Sequence, residues 1–159
     1  MKTSHSTEQI PSIPGARVVV LQSKWHREYT DKMIQYFIST IKPSGALAPE
    51  VISVPGSLEL PIAAKTVAMR SEKRPEAVVC FGAIIKGDTF HFEWVMNECA
   101  RGLTLVSLEH DIPIITEVVP CTLLEHLIKR SSDDEFNKGI EAAIGTAEIV
   151  AFRRREGKR

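Results

Sequence analysis

The sequence lacks the features that mark most specialised protein classes. No apolar run approaches the ~20 residues of a membrane-spanning helix. The longest, Ala77 to Ile85, has nine residues and contains Gly82. The first sixteen residues, Met1 to Ala16, carry Ser, Thr, Pro and Gly and lack the ~7–15 consecutive apolar residues of a signal peptide. They read as a mobile arm, and the chain as soluble and cytoplasmic. Net charge is missing too, because 20 Lys and Arg meet 20 Asp and Glu. That balance argues against a dedicated nucleic-acid binder and against an acidic disordered tail. The cysteines are only three, Cys80, Cys99 and Cys121. An odd, widely spaced set is neither a disulfide framework nor a zinc pattern. No Gly-x-Gly-x-x-Gly run and no P-loop occur, so the common nucleotide signatures are unsupported.

What is present is ordinary globular material. The 159 residues are 43% hydrophobic and 25% charged. One domain of this size buries about 70% of its unfolded surface without a staple. A neutral surface limits solubility, which suits a protein that buries surface in an oligomer.

Four β-branched runs read as strands: Arg17 to Gln22, Glu50 to Val54, Ala77 to Ile85 and Ile112 to Val119. The first and third are almost continuously apolar, as strands covered on both faces are. Helical patterns lie between and after them, over Tyr29 to Lys42, Leu58 to Arg70, His91 to Leu105, Thr122 to Ser131 and Asn137 to Arg155. The last is rich in small residues suited to close packing. Strand alternating with helix implies a parallel sheet with helices on both faces. The charged stretch Ser131 to Glu135 reads as a loop, and the basic tail Arg153 to Arg159 as a solvated, fraying helix end.

Ligands of open α/β sheets bind beyond the carboxyl ends of the strands. This selects Ser23 to His26, Pro55 to Glu59, Lys86 to His91 and Pro120 to Thr122. In the third segment Gly87 permits a sharp turn, and Asp88 or Thr89 can cap the following helix. That helix start, with Lys86 and the Thr89 hydroxyl, suits an anion such as phosphate. The same turn also serves as a plain strand-to-helix connection. His91 in the first helical turn can carry protons near neutral pH, or be an ordinary helix histidine. Trp25 can stack on a flat heterocycle, or cover a neighbouring subunit. Ser57 and Glu59 can meet polar edges of such a ring. No metal-ligand spacing is present, and His5, His26, His110 and His126 are scattered and read as structural. The residues alone thus describe an edge for a flat ligand and an anion, with a histidine between them.

Taken together, five segments resemble the lumazine synthase family. They are Val54-Pro-Gly-Ser-Leu-Glu-Leu-Pro61, Gly82-Ala-Ile-Ile-Lys-Gly-Asp-Thr-Phe-His91, Asn97-Glu-Cys-Ala-Arg-Gly102, Val106-Ser-Leu-Glu109 and Asn137-Lys-Gly-Ile-Glu-Ala-Ala143. They span about residues 17–152, leaving the arm and the tail outside. The resemblance implies a flavodoxin-like three-layer αβα sandwich with a four-stranded parallel sheet. It implies condensation of 5-amino-6-(D-ribitylamino)uracil with 3,4-dihydroxy-2-butanone 4-phosphate to 6,7-dimethyl-8-ribityllumazine, without metal or organic cofactor. By motif, Trp25 stacks on the pyrimidine. Ser57, Leu58 and Glu59 hold ribityl chain and ring, and Ala83, Ile84 and Ile85 line the ring pocket. Gly87, Asp88 and Thr89 meet the phosphate with Arg130 and Lys138, and His91 is the general acid/base. Thr116 stands after the fourth strand where much of the family has an aromatic. The loop Ser131 to Phe136 lacks the glycines of capsid-forming members. Family sites lie between subunits of a pentamer, so Thr116 and Arg130 are expected to face a neighbour's site. A non-catalytic lumazine- or flavin-binding relative is the alternative. A flavodoxin-like FMN protein fits less well, because Ser23 to His26 is not a phosphate loop.

Overall fold

The computed structural model describes residues 10–158. Its centre is a four-stranded, all-parallel sheet in the order β2-β1-β3-β4. The strands are β1 (Val18–Ser23), β2 (Glu50–Val54), β3 (Ala77–Ile85) and β4 (Ile114–Cys121). The inner strands β1 and β3 are buried along nearly their whole length, and the edge strands β2 and β4 are partly exposed. That is why only the inner two are continuous apolar runs. The helices are α1 (Arg27–Ile41), α2 (Leu60–Ala68), α3 (His91–Glu109), α4 (Leu124–Arg130) and α5 (Lys138–Arg155).

Alternation along each strand sends side chains into two separate cores. Val18, Val20, Val79 and Phe81 pack with α1, α4 and α5. Val19, Leu21, Val78 and Cys80 pack with α2 and α3. The result is a three-layer αβα sandwich. Between α1 and α5 the backbones touch. A methyl on Gly139 would sit 1.9 Å from the Met33 carbonyl oxygen. The small-residue run of the last helix is the reason this approach is possible. Cys80, Cys99 and Cys121 are all buried and free. Burial pushes the Cys99 thiol up to about 11.

Several element bounds differ from the sequence pattern for local reasons. β4 begins two residues later than Ile112, because the Ile112 N–H closes the end of α3 on the Ser107 carbonyl and Pro113 has no N–H. The helix expected from Leu58 starts as a 3-10 turn over Ser57–Glu59, and α2 proper begins at Leu60, just before Pro61. α3 runs four residues beyond Leu105 and ends where Asp111 turns with φ 48°. Residues 1–9 of the expected arm lie outside the described residues. Of the rest, Ile13 and Ala16 are fully buried, and the Ile13 and Gly15 N–H groups bond the Ser44 and Gly45 carbonyls at 2.8 Å. The basic tail is not simply solvated. Arg154 holds Glu76 through two bonds of 2.8 and 2.7 Å, and Arg153 bonds Asp111 at 3.0 Å.

Candidate active site

The sheet order fixes where a crevice opens. From β1 the chain passes through α1 on one face to β2, and from β3 through α3 on the other face to β4. The loops after neighbouring β1 and β3 therefore leave in opposite directions. Such a switch point leaves a gap at the carboxyl ends of the strands.

A cavity of about 350 Å³ lies there. Trp25 and His26 line it from the loop after β1. Gly56, Ser57, Leu58 and Glu59 come from the turn after β2. Ala83, Ile84 and Ile85 form the end of β3, and His91 and Val95 belong to the first turns of α3. The first two loops are tied together, since the Lys24 N–H donates to the Val54 carbonyl at 3.0 Å. Gly56 lets them close. A Cβ there would stand 2.9 Å from Glu59 Oε2 and 3.6 Å from Trp25 Cδ1. The indole is 69% exposed, a large apolar surface held open beside a carboxylate. Ser57 is buried beneath them, and His91 is exposed with its ring 5.9 Å from that of Trp94.

The cavity thus gathers Trp25, Ser57, Leu58, Glu59, Ala83, Ile84, Ile85 and His91, which come from four places in the chain. The remaining candidates lie outside it. Gly87, Asp88 and Thr89 form an exposed turn. The capping expectation is corrected here. Phe90 is the residue before α3, no side chain caps the helix, and the Thr89 hydroxyl only meets the His91 N–H at 3.4 Å. Lys86 pairs with Glu93 at 3.0 Å, and this ammonium holds the Glu93 carboxyl below its ordinary range. Arg130 ends α4, exposed, with one guanidinium N–H on the His126 carbonyl at 3.0 Å. Lys138 opens α5 in a close ion pair with Glu141. Thr116 lies inside β4, opposite Cys80, as the strand read over Ile112 to Val119 already placed it, and not after the strand as the family resemblance implied. It is exposed on the edge strand and away from its own chain's cavity.

Two residues were missed. His26 lines the cavity with left-handed backbone, φ 56° and ψ 39°, which costs a residue with a Cβ about 1 kcal/mol. Its adjacency to Trp25 in a strand-end segment was the available signal. Glu117 is a carboxyl on the largely covered side of β4, and burial pushes it up to about 7. A lone acid in the run Ile114 to Val119 was its signal. A second hollow, about 430 Å³, lies at the opposite edge of the sheet by Ile112, Gly145 and Phe152. Its charged lining groups, Asp111 and Arg153, already bond each other. Among the described residues no cluster of three or more His, Cys, Asp or Glu could hold a metal ion, and no helix is long and apolar enough to cross a membrane.

The sequence profile of the 6,7-dimethyl-8-ribityllumazine synthase family matches residues 15–154. The chain belongs to the 6,7-dimethyl-8-ribityllumazine synthase family. The match covers every strand and helix described above, save Arg155 at the end of α5. The lumazine synthase family is a family of transferases in riboflavin biosynthesis. The three-layer parallel-sheet architecture is the lumazine synthase fold.

Proposed function

We propose that this chain condenses 5-amino-6-(D-ribitylamino)uracil with 3,4-dihydroxy-2-butanone 4-phosphate to 6,7-dimethyl-8-ribityllumazine, releasing inorganic phosphate and water. The observation that carries this reading is the strand-end cavity, which holds an exposed indole, a carboxylate, a buried hydroxyl and an imidazole in a chain of this family.

Trp25 stacks on the pyrimidine, gaining the attraction of two offset π faces. Glu59 and Ser57 accept and donate hydrogen bonds at the ring and ribityl chain, and Ala83 to Ile85 exclude water from one side. His91 moves protons as the pyrimidine's amine adds to the ketone and the carbinolamine loses water. General acid–base help of this kind is worth about 10²–10⁴ in rate. Holding two substrates together supplies much of the remainder. Arg130 binds the phosphate bidentately and stabilises it as it leaves, with Lys138 and the turn Gly87 to Thr89.

A shared site accounts for two observations. The three cations are each engaged separately within one chain, Lys86 by Glu93, Lys138 by Glu141 and Arg130 by a carbonyl. Large apolar side chains also stand exposed along α2 and α3, among them Ile62, Met69, Trp94 and Leu108. Both fit an oligomer in which Arg130, Lys138 and Thr116 of one subunit complete the cavity of the next. The test is to mix both substrates with the protein and follow lumazine absorbance. No rate above the uncatalysed condensation overturns the reading. Binding of lumazine without turnover would leave the non-catalytic relative.

A further inference from the structure

Glu117 is a costly residue with no bond of its own to offset the cost. Alternation along β4 places it with Ile115 and Val119 on the face that packs against α1 and α5. β3 sets Phe81 beside it, and α1 and α4 bring Phe37 and Leu127 to the same core. A carboxyl in such surroundings normally has a hydrogen bond or an ion pair. Glu117 has neither among the described residues. Further along the same face of β4, burial pushes the Cys121 thiol up, so it carries no charge. The charges that reach Glu117 both stand on the first turn of α5. Lys138 favours its ionised form and Glu141 opposes it. Burial outweighs both, and the carboxyl changes charge at about 7.

The start of α5 is held in place. Asn137 is buried before the helix, where its side-chain oxygen accepts the Gly139 N–H at 2.9 Å and its amide donates to the Ser132 carbonyl at 2.8 Å. Gly139 itself lies against the Met33 carbonyl. The Lys138 backbone is thus fixed, and only its side chain can change partners. Lys138 and Glu141, three residues apart, share one face of the helix and form a close ion pair. Glu117 feels the same ammonium from β4. One cation therefore answers to a carboxylate at the surface and to a covered carboxyl behind it. With Glu117 protonated the three groups are neutral together, and an incoming anion competes with Glu141 alone. With Glu117 ionised they carry an excess negative charge, which repels the anion and draws the ammonium inward.

We propose that Glu117 is a positioning residue for Lys138: protonated, it leaves the ammonium to the substrate's phosphate, and ionised, it competes with that phosphate for the same cation. The role of Lys138 as a phosphate ligand rests on the function proposed above. Sulfate tests the inference, because it stays a dianion throughout the range and any proton taken up must go to the protein. It is titrated calorimetrically into the parent and Glu117→Gln near pH 6 and near pH 8, in two buffers of different ionisation enthalpy. The KM of each substrate is measured at the same pH values. Near pH 6 the two proteins should bind sulfate within twofold of each other. Near pH 8 the parent should bind about tenfold more weakly than Glu117→Gln, and it should take up a proton on binding that the variant does not. The KM for the butanone phosphate should follow sulfate, and the KM for the pyrimidine should differ by less than twofold. In a Lys138→Gln background, Glu117→Gln should change sulfate affinity less than twofold. A purely structural Glu117 would alter melting and leave the two pH profiles parallel. Parallel profiles overturn the proposal, as does an effect that falls on the pyrimidine or that survives the loss of Lys138. If the parent forms no lumazine, the proposed function fails and the sulfate titration alone decides Glu117. A pH-dependent gap between the two proteins then supports the proposal, and its absence, or no sulfate binding by the parent near pH 6, overturns it.

Discussion

Replacing Glu117 by glutamine measures the cost of a charge on the largely covered face of an edge strand. Strand alternation turns Glu117 with Ile115 and Val119 toward the layer of α1 and α5. Burial there pushes its carboxyl from the ordinary 4.5 to about 7; Lys138 opposes the rise and Glu141 adds to it. Lys138 helps little because it is already paired with Glu141. In the unfolded chain Glu117 loses its proton near 4.5, while the folded protein keeps it until about 7. Within that window the folded state binds the extra proton, so its stability falls as pH rises. The full shift corresponds to about 3 kcal/mol at ~1.36 kcal/mol per pH unit, and residual solvent contact reduces it to about 2 kcal/mol. Glu117→Gln carries no charge and escapes the cost. It should match the parent near pH 4.5 and exceed it by about 2 kcal/mol at pH 8. For a chain of this size that is about 4–8 °C in Tm. Calorimetric melts of both proteins from pH 4.5 to 8.5 read the difference directly, because every other titrating group is common to both. A gap that does not change with pH, or a variant less stable at pH 8, refutes the reasoning.

Other outcomes follow from geometry already described. Gly139→Ala forces a methyl against the Met33 carbonyl and should cost about 3 kcal/mol or more in urea unfolding; a cost under about 1 kcal/mol would mean that α1 and α5 do not touch through backbone. His91→Ala should lower kcat by about 10²–10⁴ while the KM for the pyrimidine stays near its parent value, and an unchanged kcat in steady-state assays removes His91 from proton transfer. Arg130→Ala should raise the KM for the butanone phosphate most; equal losses for both substrates contradict its assignment to the phosphate.

Much of the scaffold was legible because burial leaves a mark on composition. β1 and β3 are covered on both faces, so nearly all their residues are apolar, and the strands could be read as almost uninterrupted runs. The small residues of α5 announced a close approach, which proved to be contact with the backbone of α1. Element ends were less legible. The late start of β4 depends on which carbonyl the Ile112 N–H reaches, and that partner, Ser107, is chosen by the fold. The tail read as solvated because its sequence is basic. Its clamp on Glu76 joins residues 78 apart, and nothing local announces such a pair.

The site divides in the same way. The sequence by itself determined the chemical inventory: an indole after the first strand, Ser57 and Glu59 after the second, His91 after the third, and a balance of charge that hides local cations. It determined these because residue types and their spacing to strand ends are properties of the chain. Only the tertiary structure decided which of them meet. The order β2-β1-β3-β4 sets the loops of β1 and β3 side by side and opens the cavity between them. It adds His26, which the sequence offered only by its adjacency to Trp25, and it largely covers Glu117 on the side of β4 that faces α5. It leaves Thr116, Arg130 and Lys138 outside the cavity of their own chain, because proximity in space is set by strand order and layer packing, and spacing along the chain carries no record of either.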